Sequence, residues 1–223
     1  MISSKAPINT IKQINMIKQQ LRTNDVHDKV ILSLFDSIPR HEFVPAGFRD
    51  FAYSDMRIPL AHDQQMMTPE EEGRLLQALH IGGYETILEV GTGSGYLTAL
   101  LSRLGKKVIS IDCFDNFTQD ARRKITALGF SNVELITADA SHGFMEKAPY
   151  DVLVITGAIA EITETLRLQL FPGGKLFAIV GKDPIMCGNL LTLGNEGQWH
   201  ESLLFETNTP PLIDKLKPNE FCF

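Results

Sequence analysis

The chain of 223 residues has only three cysteines, Cys113, Cys187 and Cys222, with no Cys-x-x-Cys pair among them. An odd number at scattered positions excludes a disulfide framework of the secreted type and points to a reducing compartment. Histidine is equally sparse. The six histidines never form a His-x-x-x-His pair, so the spacing offers no zinc site and no metal is expected. No apolar run approaches the roughly 20 residues of a membrane span. The opening residues 1–7 lack the charged-then-apolar pattern of a secretory signal. Basic residues are in deficit, 21 against 27 acidic ones, for a net charge of −6. A nucleic-acid partner normally announces itself as a basic excess, so none is expected. Neither an internal repeat nor a low-complexity tract is present. These absences leave a soluble, cytoplasmic protein with no membrane or nucleic-acid partner as the expectation.

What remains is an ordinary globular composition, 43% hydrophobic and 22% charged, enough for a sizeable core. Residues 1–78 read as helical. Ile14, Ile17 and Leu21 recur at helical spacing. Asn24 and Asp25 offer caps for a second helix over 28–38, with Val30, Ile31, Leu34 and Phe35 on its apolar face and Pro39 closing it. Residues 43–60 lack periodicity and read as loop. Thr68-Pro69-Glu70-Glu71 is a capping box with proline at the first helical position.

From Glu85 the texture changes to short apolar runs alternating with amphipathic stretches. Strands are expected over 86–90, 107–112, 133–137, 151–156 and 175–180. Helices are expected over 96–104, 117–128 and 161–170, and a closing hairpin over 190–193 and 202–206. Pro172-Gly173-Gly174 turns the chain into the fifth strand. Such alternation predicts a doubly wound, Rossmann-like α/β sheet of parallel strands. The reading divides the chain into an N-terminal helical and substrate-loop segment, 1–78, packed on a core of 79–223.

The densest chemical signal is Leu88-Glu89-Val90-Gly91-Thr92-Gly93-Ser94-Gly95-Tyr96. An apolar strand ends beside an acid and enters three glycines at alternate positions before a helix. Open α/β sheets bind ligands at the carboxyl ends of strands, and glycine lets backbone approach a ligand closely. A dinucleotide fingerprint, Gly-x-Gly-x-x-Gly, is the competing reading, but position 96 is Tyr. Asp112 ends the second strand, where a carboxylate can accept ribose hydroxyls from either cofactor class. Asp139-Ala140 follows the third strand, where a side chain can meet an adenine. Glu89 can attract the ammonium of a methyl donor, whereas beside a pyrophosphate it would repel; it can also be a strand-end acid satisfied by backbone. Together these favour S-adenosylmethionine, held at Glu89, Gly91, Thr92, Gly93, Ser94, Gly95, Asp112, Asp139 and Ala140.

Nearly the whole chain resembles the protein-L-isoaspartate O-methyltransferases. The resemblance is carried by Met16-Ile17-Lys18-Gln19-Gln20-Leu21, Pro39-Arg40-His41-Glu42-Phe43-Val44-Pro45, Tyr53-Ser54-Asp55, Leu88 to Tyr96, Ala148-Pro149-Tyr150-Asp151 and Pro172-Gly173-Gly174-Lys175-Leu176. The Pro-Arg-His-x-Phe-Val-Pro block is the most specific, since generic methyltransferases lack it. The resemblance implies a class I methyltransferase fold and methylation of isoaspartyl carboxylates in damaged proteins, with collapse of the ester through a succinimide. It also implies Gln64, Met66 and Cys113 as cofactor contacts and Gln65, Met67 and Thr68 as the catalytic loop. A carboxylate acceptor, ionised at neutral pH with a reference pKa of roughly 4, needs no general base, and none is evident here.

The loop departs from the family's Gly-x-Gly-Gln-Thr-Ile-Ser-x-Pro. It reads Ala61-His62-Asp63-Gln64-Gln65-Met66-Met67-Thr68-Pro69, so Gln65 replaces the Thr and Met67 the Ser. A thioether donates no hydrogen bond. Thr68 can supply a hydroxyl or serve as an N-cap. Glu70, Glu71 and Glu72 can complement the helix dipole or set negative charge at the acceptor's entrance. Phe205 to Pro211 departs from the family's apolar ending. His41 is expected to be a structural histidine and His62 to lie near the acceptor. The altered loop leaves open a different acceptor, or cofactor binding with little isoaspartyl activity.

Overall fold

The computed structural model describes residues 8–194 and 197–213; Cys222 and the opening residues 1–7 lie outside them. Helix α1 (Ile8–Met16) runs into a π turn (Ile17–Leu21) and a 3-10 turn (Arg22–Asn24). Helix α2 (Lys29–Ser37) is capped by Asp28, whose side chain accepts hydrogen bonds from Val30 N at 2.7 Å and Ile31 N at 3.3 Å. The expected caps Asn24 and Asp25 are therefore superseded. Asp25 lies at φ 63°, closing the preceding turn, whereas an N-cap adopts extended backbone. Val30 is exposed; the buried stripe is Ile31, Leu34, Phe35 and Ile38, the spacing of one helical face.

A 3-10 turn covers Arg40–Glu42, and residues 43–60 are not wholly irregular, since a second covers Ala46–Phe51. Helix α3 (Pro69–Leu79) opens on the expected capping box. Thr68 Oγ1 accepts from Glu71 N, and Glu71 Oε2 accepts from Thr68 N at 3.0 Å. Its inner face buries Leu75, Leu76 and Leu79, each contributing about 1.5–3 kcal/mol of transfer free energy.

Seven strands follow: β1 (Thr86–Val90), β2 (Lys107–Asp112), β3 (Val133–Thr137), β4 (Tyr150–Ile159), β5 (Leu170–Lys182), β6 (Ile185–Leu193) and β7 (Trp199–Thr207). They form one sheet in the order β3-β2-β1-β4-β5-β6-β7, with β1 to β5 parallel and the last two antiparallel. Helices α4 (Tyr96–Leu104) and α5 (Asp115–Ala127) make the first crossovers, and α6 (Glu164–Arg167) is one turn long. The helix expected over 161–170 is confined to Glu164–Arg167, because Thr163 takes the extended backbone of an N-cap (φ −72°, ψ 159°) and Leu170 already belongs to β5. Pro172-Gly173-Gly174 lies inside β5, where pairing with β4 jumps from Tyr150↔Leu170 to Val152↔Lys175. A Cβ on Gly174 would come within 2.8 Å of Phe171 O, so the irregularity requires glycine there.

One face of the sheet shares a core with the N-terminal helices through Met16, Leu21, Phe35, Phe43, Leu76 and Tyr96. The other packs Leu88, Ile109, Leu153 and Leu176 against Leu166 of α6. Among the described residues no helix is long and apolar enough to cross a membrane.

Candidate active site

The strand order reverses between β1 and β4, and a cavity opens at the carboxyl ends of β1, β2 and β4. That is where open α/β sheets place ligands. Its floor is the glycine turn after Val90. Gly91 lies at φ 98°, and a Cβ there would stand 2.1 Å from Thr156 Oγ1. Thr156, on β4, donates to Val90 O at 3.1 Å and Gly91 O at 2.9 Å, clamping the turn from the neighbouring strand. Gly95 lies at φ 82° as the N-cap of α4 and faces Ala121, whose Cβ would be 2.8 Å from an added methyl.

Asp112, at the end of β2, holds the turn from the other side. Its Oδ2 accepts from Gly93 N at 2.9 Å and its Oδ1 from Phe114 N at 3.0 Å. Burial raises its pKa against the pull of these backbone donors. Glu89 points the other way, into the protein. It is fully buried, accepts from Thr98 Oγ1 at 2.5 Å, and leaves Oε1 without a partner. Desolvation pushes its pKa up to about 7.

The roof is the loop before α3. Met66 N bonds to Ile58 O and Leu60 N to Gln64 O, folding the loop back on itself. Its tip carries His62 at φ 57° and Asp63 at φ 54°. Left-handed backbone favours glycine, and Asp is among the side chains that tolerate it best. The His62 ring stacks on Phe114 at 3.8 Å and meets Asn116 Oδ1 through Nε2 at 2.9 Å, fastening the tip across the mouth of β2. Gln65 Nε2 donates to Asn208 O at 3.3 Å, and Leu212 and Ile213 complete the wall. The polar stretch after β7 thus closes the site, hydrogen-bonding along Ala158.

The three glutamates do not confront the entrance as bare charge. Glu70 pairs with Arg74, Glu71 with Arg57 and Thr207, and Glu72 with Arg40. Arg40 is the centre of this arrangement. Fully buried, it pairs with Glu72 through Nη1, donates to Met67 O from Nη2 at 2.6 Å, and lies 4.8 Å from the centroid of the Tyr96 ring.

The cavity brings together Gln64, Gln65, Met66, Met67, Gly91, Thr92, Gly93, Ser94, Asp112, Cys113 and Ala140. It does not include four of the expected positions. Glu89 is turned inward, Gly95 is committed to the α4 junction, and Thr68 serves as the N-cap. Asp139 accepts from Ser141 N at 2.9 Å. His41 bonds to Tyr53 Oη at 2.7 Å, as a structural histidine would, and His62 touches β2's exit rather than the lining. Thr156 and Leu212 line the cavity without having been singled out in the sequence, and Glu72, read there as a dipole partner or as charge at the acceptor's entrance, lines it as well. No group of three His, Cys, Asp or Glu able to hold a metal occurs among the described residues.

The family model described as protein-L-isoaspartate(D-aspartate) O-methyltransferase matches residues 12–192. The chain belongs to this family. A protein-L-isoaspartate O-methyltransferase of Herpetosiphon aurantiacus is 34% identical over 199 residues, covering 89% of this chain and 88% of that one. One from Roseobacter denitrificans is 38% identical over 196 residues, covering 88% and 92%. Among solved structures, a protein-L-isoaspartate O-methyltransferase superposes with a TM-score of 0.78 at 23% identity, covering 92% of this chain and 67% of that one. A Plasmodium falciparum structure in complex with S-adenosyl-L-homocysteine gives 0.76 at 17%, covering 93% and 99%. At those identities the structures speak for the fold, which is the class I methyltransferase sheet. Arg40 of the Pro-Arg-His block grips the departing loop at Met67 O.

Proposed function

We propose that the protein holds S-adenosylmethionine in this cavity and methylates the free carboxylate of isoaspartyl residues in peptides and proteins. The observation that carries the proposal is the donor set of the cavity. Two carboxylates, Asp112 and Glu72, line it, and among the described residues no Lys, Arg or His does. A sulfonium ligand suits that charge. A pyrophosphate would meet acids with no cation to balance it, which disfavours the dinucleotide reading.

When bound, S-adenosylmethionine supplies an electrophilic methyl group on a sulfonium. Asp112 would accept the ribose hydroxyls while keeping Gly93 in place, and the backbone of Gly91, Thr92, Gly93 and Ser94 would border the ligand closely. Cys113 and Ala140 would flank the adenosine end, with Gln64 and Met66 covering it. Gln65 and Met67 would face the acceptor, the first with an amide and the second with an apolar surface that excludes water. An ionised carboxylate is already a nucleophile, so alignment and desolvation are the protein's contributions. Residues 79–223 would supply the glycine turn and Asp112 of the donor site, and residues 1–78 the loop and α3 residues that cover the cofactor and face the acceptor. The scattered cysteines fit action in the cytoplasm.

The test is labelled S-adenosylmethionine offered with an isoaspartyl peptide and with its aspartyl twin. Base-labile label on the isoaspartyl peptide alone is the expected result. Label on neither, with cofactor binding intact, would assign the altered loop to another acceptor.

A further inference from the structure

Glu72 is a carboxyl that the family's chemistry leaves unexplained. It sits in the first turn of α3, is 2% exposed, and lines the cavity beside Met67 and Leu97. Arg40 engages its Oε2 only. Its Oε1 takes no hydrogen bond among the described residues and, unlike Glu89 Oε1, is not sealed away from the cavity. A half-paired buried carboxyl is costly unless something completes it. The other lining acid, Asp112, has both oxygens on backbone N–H groups at the end of β2. Glu89, the acid beside the turn, has no access to the cavity.

We infer that Glu72 Oε1 receives the α-ammonium of S-adenosylmethionine and S-adenosylhomocysteine, with Arg40 fixing the carboxyl in the cavity wall. The inference rests on the donor-site reading above. It gives the buried pair a division of roles, since Arg40 orients both the cofactor-facing carboxyl and, through Met67 O, the loop over the acceptor. It also accounts for a carboxyl in the wall that does not repel an anionic acceptor, because the ammonium and Arg40 together outweigh it.

Burial pushes Glu72 up to about 8 against the opposing pull of Arg40, with Glu71 and Glu89 raising it further. Tyr96, from α4, faces the same pair. An ammonium ligand favours the ionised carboxyl. Affinity for S-adenosylhomocysteine therefore rises between about pH 6 and about pH 8. Affinity for the analogue lacking only the α-amino group does not rise with it.

Calorimetry with wild type and Glu72→Gln, each titrated with S-adenosylhomocysteine and with its deaminated analogue, tests this. The variant is expected to lose at least about tenfold in affinity for S-adenosylhomocysteine, the value of one charge-assisted hydrogen bond, and less than about twofold for the analogue. Equal losses for both ligands, or none for either, overturn the inference. If Glu72→Gln does not fold, the pH series on the wild type decides alone, and identical pH profiles for the two ligands overturn it. A wild type that binds neither ligand overturns the donor-site reading itself, and the inference with it.

Discussion

In the proposed site Asp112 serves both structure and ligand. Its two oxygens hold Gly93 N and Phe114 N, and the residue lines the cavity. Asp112→Ala is expected to weaken S-adenosylhomocysteine binding by about 1.5–3 kcal/mol for each charged hydrogen bond lost, read by calorimetry. Glu89 makes the opposite case. Burial holds it near 7, and Glu72 near 8. A carboxyl raised above its unfolded value stabilises the fold while protonated. That stability is whole below the unfolded pKa, about 4.3, and is lost as pH rises through the folded one. The thermal midpoint of the ligand-free protein is therefore expected to fall from about pH 5 to about pH 8. Glu89→Gln should flatten that slope; an unchanged slope would show that other groups set it. Asp112 was legible because a strand-end acid after a parallel strand has few other uses. Glu89 was legible as an acid beside the turn but not in its direction, since side-chain orientation at a strand end follows from the register with β2 and β4. Glu72 was legible only as one of three glutamates, dipole partners or charge at the acceptor's entrance. Which of the three lines the cavity depends on Arg40, which pairs with Glu72.

The loop and α3 carry the departure from the family, and their physics is main-chain. The loop is pinned by Ile58 O, Gln64 O, the Arg40 grip on Met67 O, and the stacking of His62 on Phe114. None of these needs the hydroxyls that Gln65 and Met67 replace. Restoring them with Gln65→Thr and Met67→Ser is expected to raise kcat/KM on isoaspartyl peptide about fivefold, one net hydrogen bond. Affinity for S-adenosylhomocysteine should stay within about twofold, because the proposed cofactor contacts, Gly91 to Ser94, Asp112, Gln64, Met66 and Glu72, are left unchanged. No gain in turnover would mean that backbone groups alone hold the acceptor. The α3 cap was readable from four residues because capping is local. The α2 cap was not, because the choice among Asn24, Asp25 and Asp28 depends on where the preceding turn ends. That turn is tied to α3 by Gln77, which accepts from His27 N and Asp28 N.

Over the whole molecule the parallel half of the sheet was legible from texture. Strands β1, β2 and β3 fall on the apolar runs, since buried parallel strands are near-continuously apolar and end at glycine or acid. The ends of β4 to β7 were read too short, because their outer residues pair at bulges and edges where polarity no longer marks the strand. The return of residues 208–213 over β4 had no sequence signal, being held by backbone bonds to Ala158. Yet it adjoins the loop at Asn208 and supplies Leu212 and Ile213 to the cavity wall. The proposed methyl-donor site is enclosed by the strand reversal, the loop and the returning C-terminal segment together. A crystal structure of this chain with S-adenosylhomocysteine tests it most directly. The ligand is expected in the cavity, with its ribose hydroxyls on Asp112 and its chain along Gly91 and Gly93. A ligand bound elsewhere, or a ribose without contact to Asp112, would contradict it.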